Sequence, residues 1–227
     1  MALGTEHLES LIEELPGTTL RRRSILPGWT GLHVVTHLAR NADALVNLLA
    51  WARTDTVTPM YATPEQRATE IAEGARRPVA VVRADLISAN RRLAHSVEAM
   101  AESAWCATVR TARGRSIPAA DVVWLRCREV WIHAADLRRD ALLMAPDEVI
   151  DALLQDIRHH FSNIAEFPSL RLQLLDRGKN LALGGEQHDP VPVAGSAREI
   201  LMWLTGRGSG GVVALDGHAL PTLPAWL

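Results

Sequence analysis

The chain has 227 residues, 48% hydrophobic and 22% charged, and its 24 basic and 26 acidic side chains leave a formal net charge of −2. That length fits one large domain or two modest ones, and the composition excludes a disordered or collagen-like chain. The near-neutral balance lacks the basic footprint of a nucleic-acid binder, and no apolar run approaches the ~20 residues of a membrane span. The start, Met1 to Glu6, has neither the basic residues nor the apolar stretch of a secretory signal, so a cytoplasmic protein is expected. Arg21, Arg22 and Arg23 read as a solvated helix end. Cys106 and Cys127 have no C-x-x-C partner, which argues against a disulfide scaffold or a cysteine zinc finger; both read as small buried hydrophobes.

In chain order, Leu8, Leu11, Ile12 and Leu15 recur at helical spacing and stop at Pro16-Gly17. A loop from Leu26 to Gly31 leads into a second helix whose stripe includes Leu32, Val35, Leu38, Leu45, Leu48 and Leu49. Thr30 is placed to cap it by accepting a free backbone N–H at its hydroxyl. After a loop holding Pro59, Tyr61 and Pro64, Pro64-Glu65 starts a helix that continues through Ile71. Another runs from about Pro78 to Met100. The stretch Trp105–Gly114 is ambiguous, and Ile117-Pro118-Ala119-Ala120-Asp121 opens a strong helix to about Arg139. Helices joined by short connections predict an antiparallel bundle.

The pattern changes near Met144-Ala145-Pro146-Asp147, where a further helix runs to about Ala165. Leu170–Leu175 alternates at period two and precedes the turn cluster Asp176–Asn180. Leu181–Leu183, Pro190–Ala194 and Gly211–Leu215 supply further strands around a helix at Ala197–Leu204. The expected class is α+β: a helical bundle over residues 1–144 and a small α/β domain over 145–227.

Two motifs carry chemistry, His33-x-x-x-His37 in the second helix and Glu129-x-x-x-His133 in the helix after Ile117. Residues four apart share one helix face, so each pair aims two ligand atoms at one point. Imidazole nitrogen and carboxylate oxygen suit zinc, and three protein ligands leave a coordination position for water or substrate. The plain alternative for each pair is a packing or surface role. Val130, Trp131, Ile132 and Ala134 surround Glu129 and His133 with apolar residues, and a buried carboxylate there needs a cation. Spacing does not choose between His33 and His37. The remaining histidines, His7, His95, His159, His160, His188 and His218, are assigned packing or surface roles.

Several segments together resemble a known family. They are Pro27-Gly28-Trp29-Thr30, the run His33–Asn41, Thr58-Pro59-Met60-Tyr61, Pro64-Glu65-Gln66-Arg67, the run Arg128–Leu137 and the glycine-rich Gly206–Val212. The resemblance is to mycothiol-dependent maleylpyruvate isomerases, and it implies a DinB-like helical bundle carrying a divalent metal, usually zinc, with a smaller α/β domain behind it. By position it implies His37, Glu129 and His133 as metal ligands, leaving His33 to support or packing. Arg207 matches a functionally important arginine of the C-terminal domain, and Arg67 an arginine near the cleft.

The implied reaction is conversion of maleylpyruvate to fumarylpyruvate in aromatic breakdown through gentisate. A metal-activated mycothiol thiolate would add to the cis double bond, the single bond would rotate and the thiol would leave. Arg207 could clamp a substrate carboxylate, with backbone N–H groups of Gly208–Gly211 helping. The expected partner is a small dicarboxylate, and the expected state a monomer. Two alternatives share the fold: a mycothiol S-transferase acting on another electrophile, and a non-catalytic ligand-binding protein.

Overall fold

The computed structural model describes residues 1–138, 144–164, 167–185 and 189–226. The chain divides into two compact units, Met1–Arg139 and Asp140–Leu227. Among the described residues, no helix is long and apolar enough to cross a membrane.

The first unit is built around α3, Gly31–Thr54, which packs against α4 (Pro64–Gly74), α5 (Val79–Glu98) and α6 (Asp121–Leu137). Its apolar residues are not confined to one stripe. Val34, Val35, Leu38, Ala39, Leu45 and Leu48 are all buried, as a helix enclosed on several sides requires. Each fully buried leucine contributes about 1.5–3 kcal/mol. Alpha-helix α1, Ala2–Glu14, lies against α6, where Gly4 is essential to the approach: a Cβ there would sit 2.7 Å from the Trp131 indole nitrogen. Pro16-Gly17 ends α1 as expected, but Pro16 then caps one further helical turn, α2 (Gly17–Leu20), which the sequence reading does not anticipate. Arg21, Arg22 and Arg23 follow it and are exposed.

Two expectations in this unit need correction. The segment beginning at Ile117 does not open a helix: Ser116–Pro118 is strand β2, antiparallel to β1, Thr108–Arg110, and α6 starts only at Asp121. Val109 and Ile117 are the buried cross-strand pair, so two β-branched residues hold the hairpin where proline had suggested a helix entry. A 3₁₀ turn, Glu102–Cys106, precedes β1 and leaves Cys106 exposed, so only Cys127 is a buried thiol. The expected end of α6 near Arg139 lies outside the described residues; the helix is seen to Leu137.

In the second unit, α7 (Asp147–Phe161) and α8 (Ala197–Leu204) pack on a four-stranded sheet of order β4-β3-β5-β6. Strands β3 (Leu170–Leu174) and β4 (Lys179–Leu183) form a hairpin, β5 (Val191–Gly195) runs parallel to β3, and β6 is the short edge Val213–Ala214. The period-two reading holds in β3, where Leu170, Leu172 and Leu174 are buried and Arg171 and Gln173 exposed. Helix α7 stops earlier than expected because the Ser162 hydroxyl and Asn163 amide both donate to the His159 carbonyl; Ala165, its expected end, lies outside the described residues. Ser196 and Glu199 form the reciprocal capping box that starts α8.

Candidate metal centre

Packing of α3 on α6 brings three side chains to one point. His37 Nε2 lies 3.0 Å from Glu129 Oε2 and 3.1 Å from His133 Nε2, and His133 Nε2 lies 3.5 Å from Glu129 Oε2. Donor atoms each about 2.1 Å from a tetrahedral ion stand roughly 3.4 Å apart, so this triangle has the dimensions of one face of a zinc site. Among the described residues this is the one cluster of three or more histidine, cysteine or acidic side chains with that geometry. Two nitrogens and one carboxylate oxygen, all in a mostly buried pocket, form a borderline-hard donor set that fits zinc.

Electrostatics prepares the same atoms for a cation. Burial pushes His37 down to about 4, against the opposing pull of Glu129, so its imidazole is neutral at physiological pH. Burial works against the charged form of Glu129 too, but hydrogen bonds with His133 and His37 outweigh it and hold the carboxyl well below its usual range. Desolvation also opposes charge on His133, yet Asp136 and Glu129 overcome it and raise that pKa.

Asp136, one turn beyond His133 on α6, has a side chain with no exposure, and its Oδ2 lies 2.7 Å from His133 Nδ1. A carboxylate there fixes the tautomer with hydrogen on Nδ1, which leaves the Nε2 lone pair facing the other two donors. Sequence reasoning passed over Asp136; its signal was the extension of Glu-x-x-x-His to Glu129-x-x-x-His133-x-x-Asp136. On the other side, Arg67 at the start of α4 donates from Nη2 to His37 Nδ1 at 3.0 Å and lies over the Tyr61 ring, 5.4 Å from its centroid. Guanidinium only donates, so an ion on Nε2, which places hydrogen on Nδ1, requires Arg67 to move off that nitrogen. The Trp29 indole is tilted over the His37 ring at 5.5 Å.

The residues of the first unit match a family model described as the mycothiol maleylpyruvate isomerase N-terminal domain, over 1–138. Two solved structures cover nearly the whole chain. One is a crystal structure of the mycothiol-dependent maleylpyruvate isomerase, at 34% identity and a TM-score of 0.93. The other is a histidine-to-alanine mutant of a protein so named, at 34% identity and a TM-score of 0.92. Each match covers 99% of this chain and 93% of the other. The chain belongs to the mycothiol-dependent maleylpyruvate isomerase family. No curated protein matches it.

In this maleylpyruvate isomerase-family chain the two histidines of the first motif have different surroundings. His33 does not reach the cluster. Its Nδ1 lies 2.8 Å from the Thr30 hydroxyl and accepts from the Thr30 N–H at 3.2 Å. Thr30 caps α3 as expected, and His33 reaching back to the Thr30 N–H completes a reciprocal capping box. Arg207 lies in the second unit, in the glycine-rich turn after α8, where its Nη1 donates to the Thr205 carbonyl at 2.7 Å. Gly206, Gly208 and Gly211 there all adopt positive φ, and a Cβ on Gly211 would collide with the Glu199 carboxylate. Of the other histidines, His7 stacks on Trp131 and His160 meets Phe161 edge-on, while His188 lies outside the described residues.

A buried cation lies behind the cluster. Arg126, one turn before Glu129, is 0% exposed and donates to the Leu38 carbonyl, Asn41 Oδ1 and Asn90 Oδ1 at 2.9, 2.8 and 2.5 Å. Burial lowers its pKa to about 10, with Glu129 opposing that shift, so it remains charged at neutral pH. Its neutral acceptors tie α6 to α3 and α5 and hold the helix that carries two of the three donors.

Proposed function

We propose that this chain is a metal- and mycothiol-dependent isomerase that converts maleylpyruvate, or a closely similar cis dicarboxylate, to the trans isomer fumarylpyruvate in gentisate-type aromatic breakdown. The observation that carries the reading is the His37–Glu129–His133 triangle, which has the size and donor chemistry of a three-ligand zinc site. His37, Glu129 and His133 would hold the ion. When bound, the ion lowers the pKa of a coordinated thiol, and the thiol supplies the reversible addition and elimination that let the double bond rotate.

The protein's own groups orient and neutralise. Asp136 keeps His133 in the ligating tautomer. Arg67 stands at the edge of the cluster with a guanidinium suited to a substrate carboxylate, and Tyr61 holds its flat face. Arg207 is assigned to the second carboxylate or to the cofactor, in a turn whose glycines let a ligand approach backbone N–H groups. Residues 1–144 form the metal-binding domain in this reading, and 145–227 the domain that supplies Arg207.

Product analysis with purified protein, maleylpyruvate and mycothiol tests it. Fumarylpyruvate should accumulate while the thiol is recovered unchanged. A stable thiol conjugate would mean an S-transferase, and equal turnover without thiol would overturn the reading.

A further inference from the structure

Arg126 is a buried cation without a carboxylate of its own. Its acceptors, the Leu38 carbonyl, Asn41 Oδ1 and Asn90 Oδ1, are all uncharged, and among the described residues no acid forms an ion pair with it. Its Nε finds no acceptor at all. A charge taken out of water and left to neutral dipoles is expensive, whereas an apolar side chain would fill the same space without that cost. Packing of the bundle alone does not account for an arginine here.

Its place in the fold gives the charge an object. His37 and Asn41 are one turn apart on α3, and Glu129 and Arg126 nearly one turn apart on α6. The guanidinium therefore lies one layer below the donor triangle, bonded to Leu38 beside one donor residue and carried by the helix that bears the other two. Glu129 and the unexposed Asp136 bring two negative charges, and both imidazoles must be neutral to ligate, so a divalent ion alone makes the centre neutral. Arg126 adds a positive charge in a region shut off from water. Neighbouring acids do not cancel it. Asp43 is held by Arg40 and Arg92, and Glu9, half-buried on α1, is reached only through the Asn90 amide, which donates to it at 2.7 Å. Arg67, partly exposed at the edge of the cluster, has the same sign.

We propose that Arg126 is a positioning residue whose enclosed charge, acting through its field without touching the ligand, makes the loaded centre prefer an anion to a neutral donor. A thiol in its ionised form is such an anion. The inference rests on the metal-dependent reading above. A unit charge within about 10 Å, at an effective dielectric of about 20, is worth roughly tenfold in affinity.

Azide titrated into the cobalt-substituted full chain, followed by the visible bands of the ion, reads this preference without turnover, and chelator competition reads the cobalt affinity. Arg126→Met removes the charge together with its hydrogen bonds. The double exchange Glu9→Gln with Asn90→Asp keeps those bonds and the net charge, reverses the bond between positions 9 and 90, and sets a carboxylate against Arg126. Both proteins should bind azide about tenfold more weakly than the wild type. Cobalt affinity of the double exchange should hold or rise, because a cation behind the ion has been neutralised. A purely structural arginine predicts that the double exchange, whose tie is stronger, binds azide as the wild type does; that result overturns the inference and leaves the metal reading standing. A wild type that takes up cobalt without responding to azide overturns the inference too, and one that takes up no cobalt overturns both.

Discussion

Replacing Asp136 by asparagine isolates the charge behind the candidate metal centre. The asparagine oxygen can still accept from His133 Nδ1 across the 2.7 Å contact, and the side chain has no solvent exposure to compensate for the change. What is lost is the difference between a charge-assisted and a neutral hydrogen bond, about 1–1.5 kcal/mol, which corresponds to roughly tenfold in affinity. Supporting carboxylates behind metal-bound histidines are generally worth about 10–100-fold, so the two routes agree. Competition against a chromophoric chelator measures the zinc affinity, with circular dichroism to show that α6 is intact. Asp136→Asn should bind zinc about 10-fold more weakly than the wild type, and Asp136→Ala more weakly still because the ring loses its anchor. Unchanged affinity in a natively folded Asp136→Ala protein would refute the reasoning.

Two further predictions concern function and stability. Arg207→Ala should abolish turnover and leave metal content intact, measured by steady-state kinetics beside elemental analysis; loss of both would assign Arg207 to folding. Asp85 is paired with Arg40 and Arg77, and although burial opposes its charge, Arg77 and Arg40 hold its pKa below the ordinary 3.8. Because the folded value is depressed, the stabilisation is complete above the unfolded pKa and is lost as pH falls through the folded one. Asp85→Asn should therefore cost about 1–2 kcal/mol in urea unfolding at pH 7, with the difference from wild type shrinking below pH 4; a pH-independent difference would show that the charge is not responsible.

The bundle was legible because its helices follow the rules sequence reading uses. Pro64-Glu65 opens α4, Pro16-Gly17 ends α1, and α3 carries a long apolar pattern. The short elements were hidden where tertiary contacts decide. Ile117 and Pro118 look like a helix entry until Val109 is seen opposite Ile117, and the turn of α2 is too brief to carry a period. At the candidate site the i,i+4 pairs identified the helices and faces. The choice between His33 and His37 needed coordinates, since one turn of rotation along α3 separates a ring that closes the helix end from a ring that meets α6. Asp136 escaped notice because an aspartate three residues past a histidine reads as an ordinary helical pair until its burial is known.

The central claim is that His37, Glu129 and His133 share one divalent ion. Elemental analysis of natively purified wild type, His37→Ala and His33→Ala measures it most directly. About one ion per chain is predicted for the wild type and for His33→Ala, which loses part of the α3 cap and the stack on Trp29 but no donor of the cluster, and essentially none for His37→Ala. A wild type that is metal-free yet fully active, or a His37→Ala protein that retains its ion while His33→Ala loses it, would contradict the account.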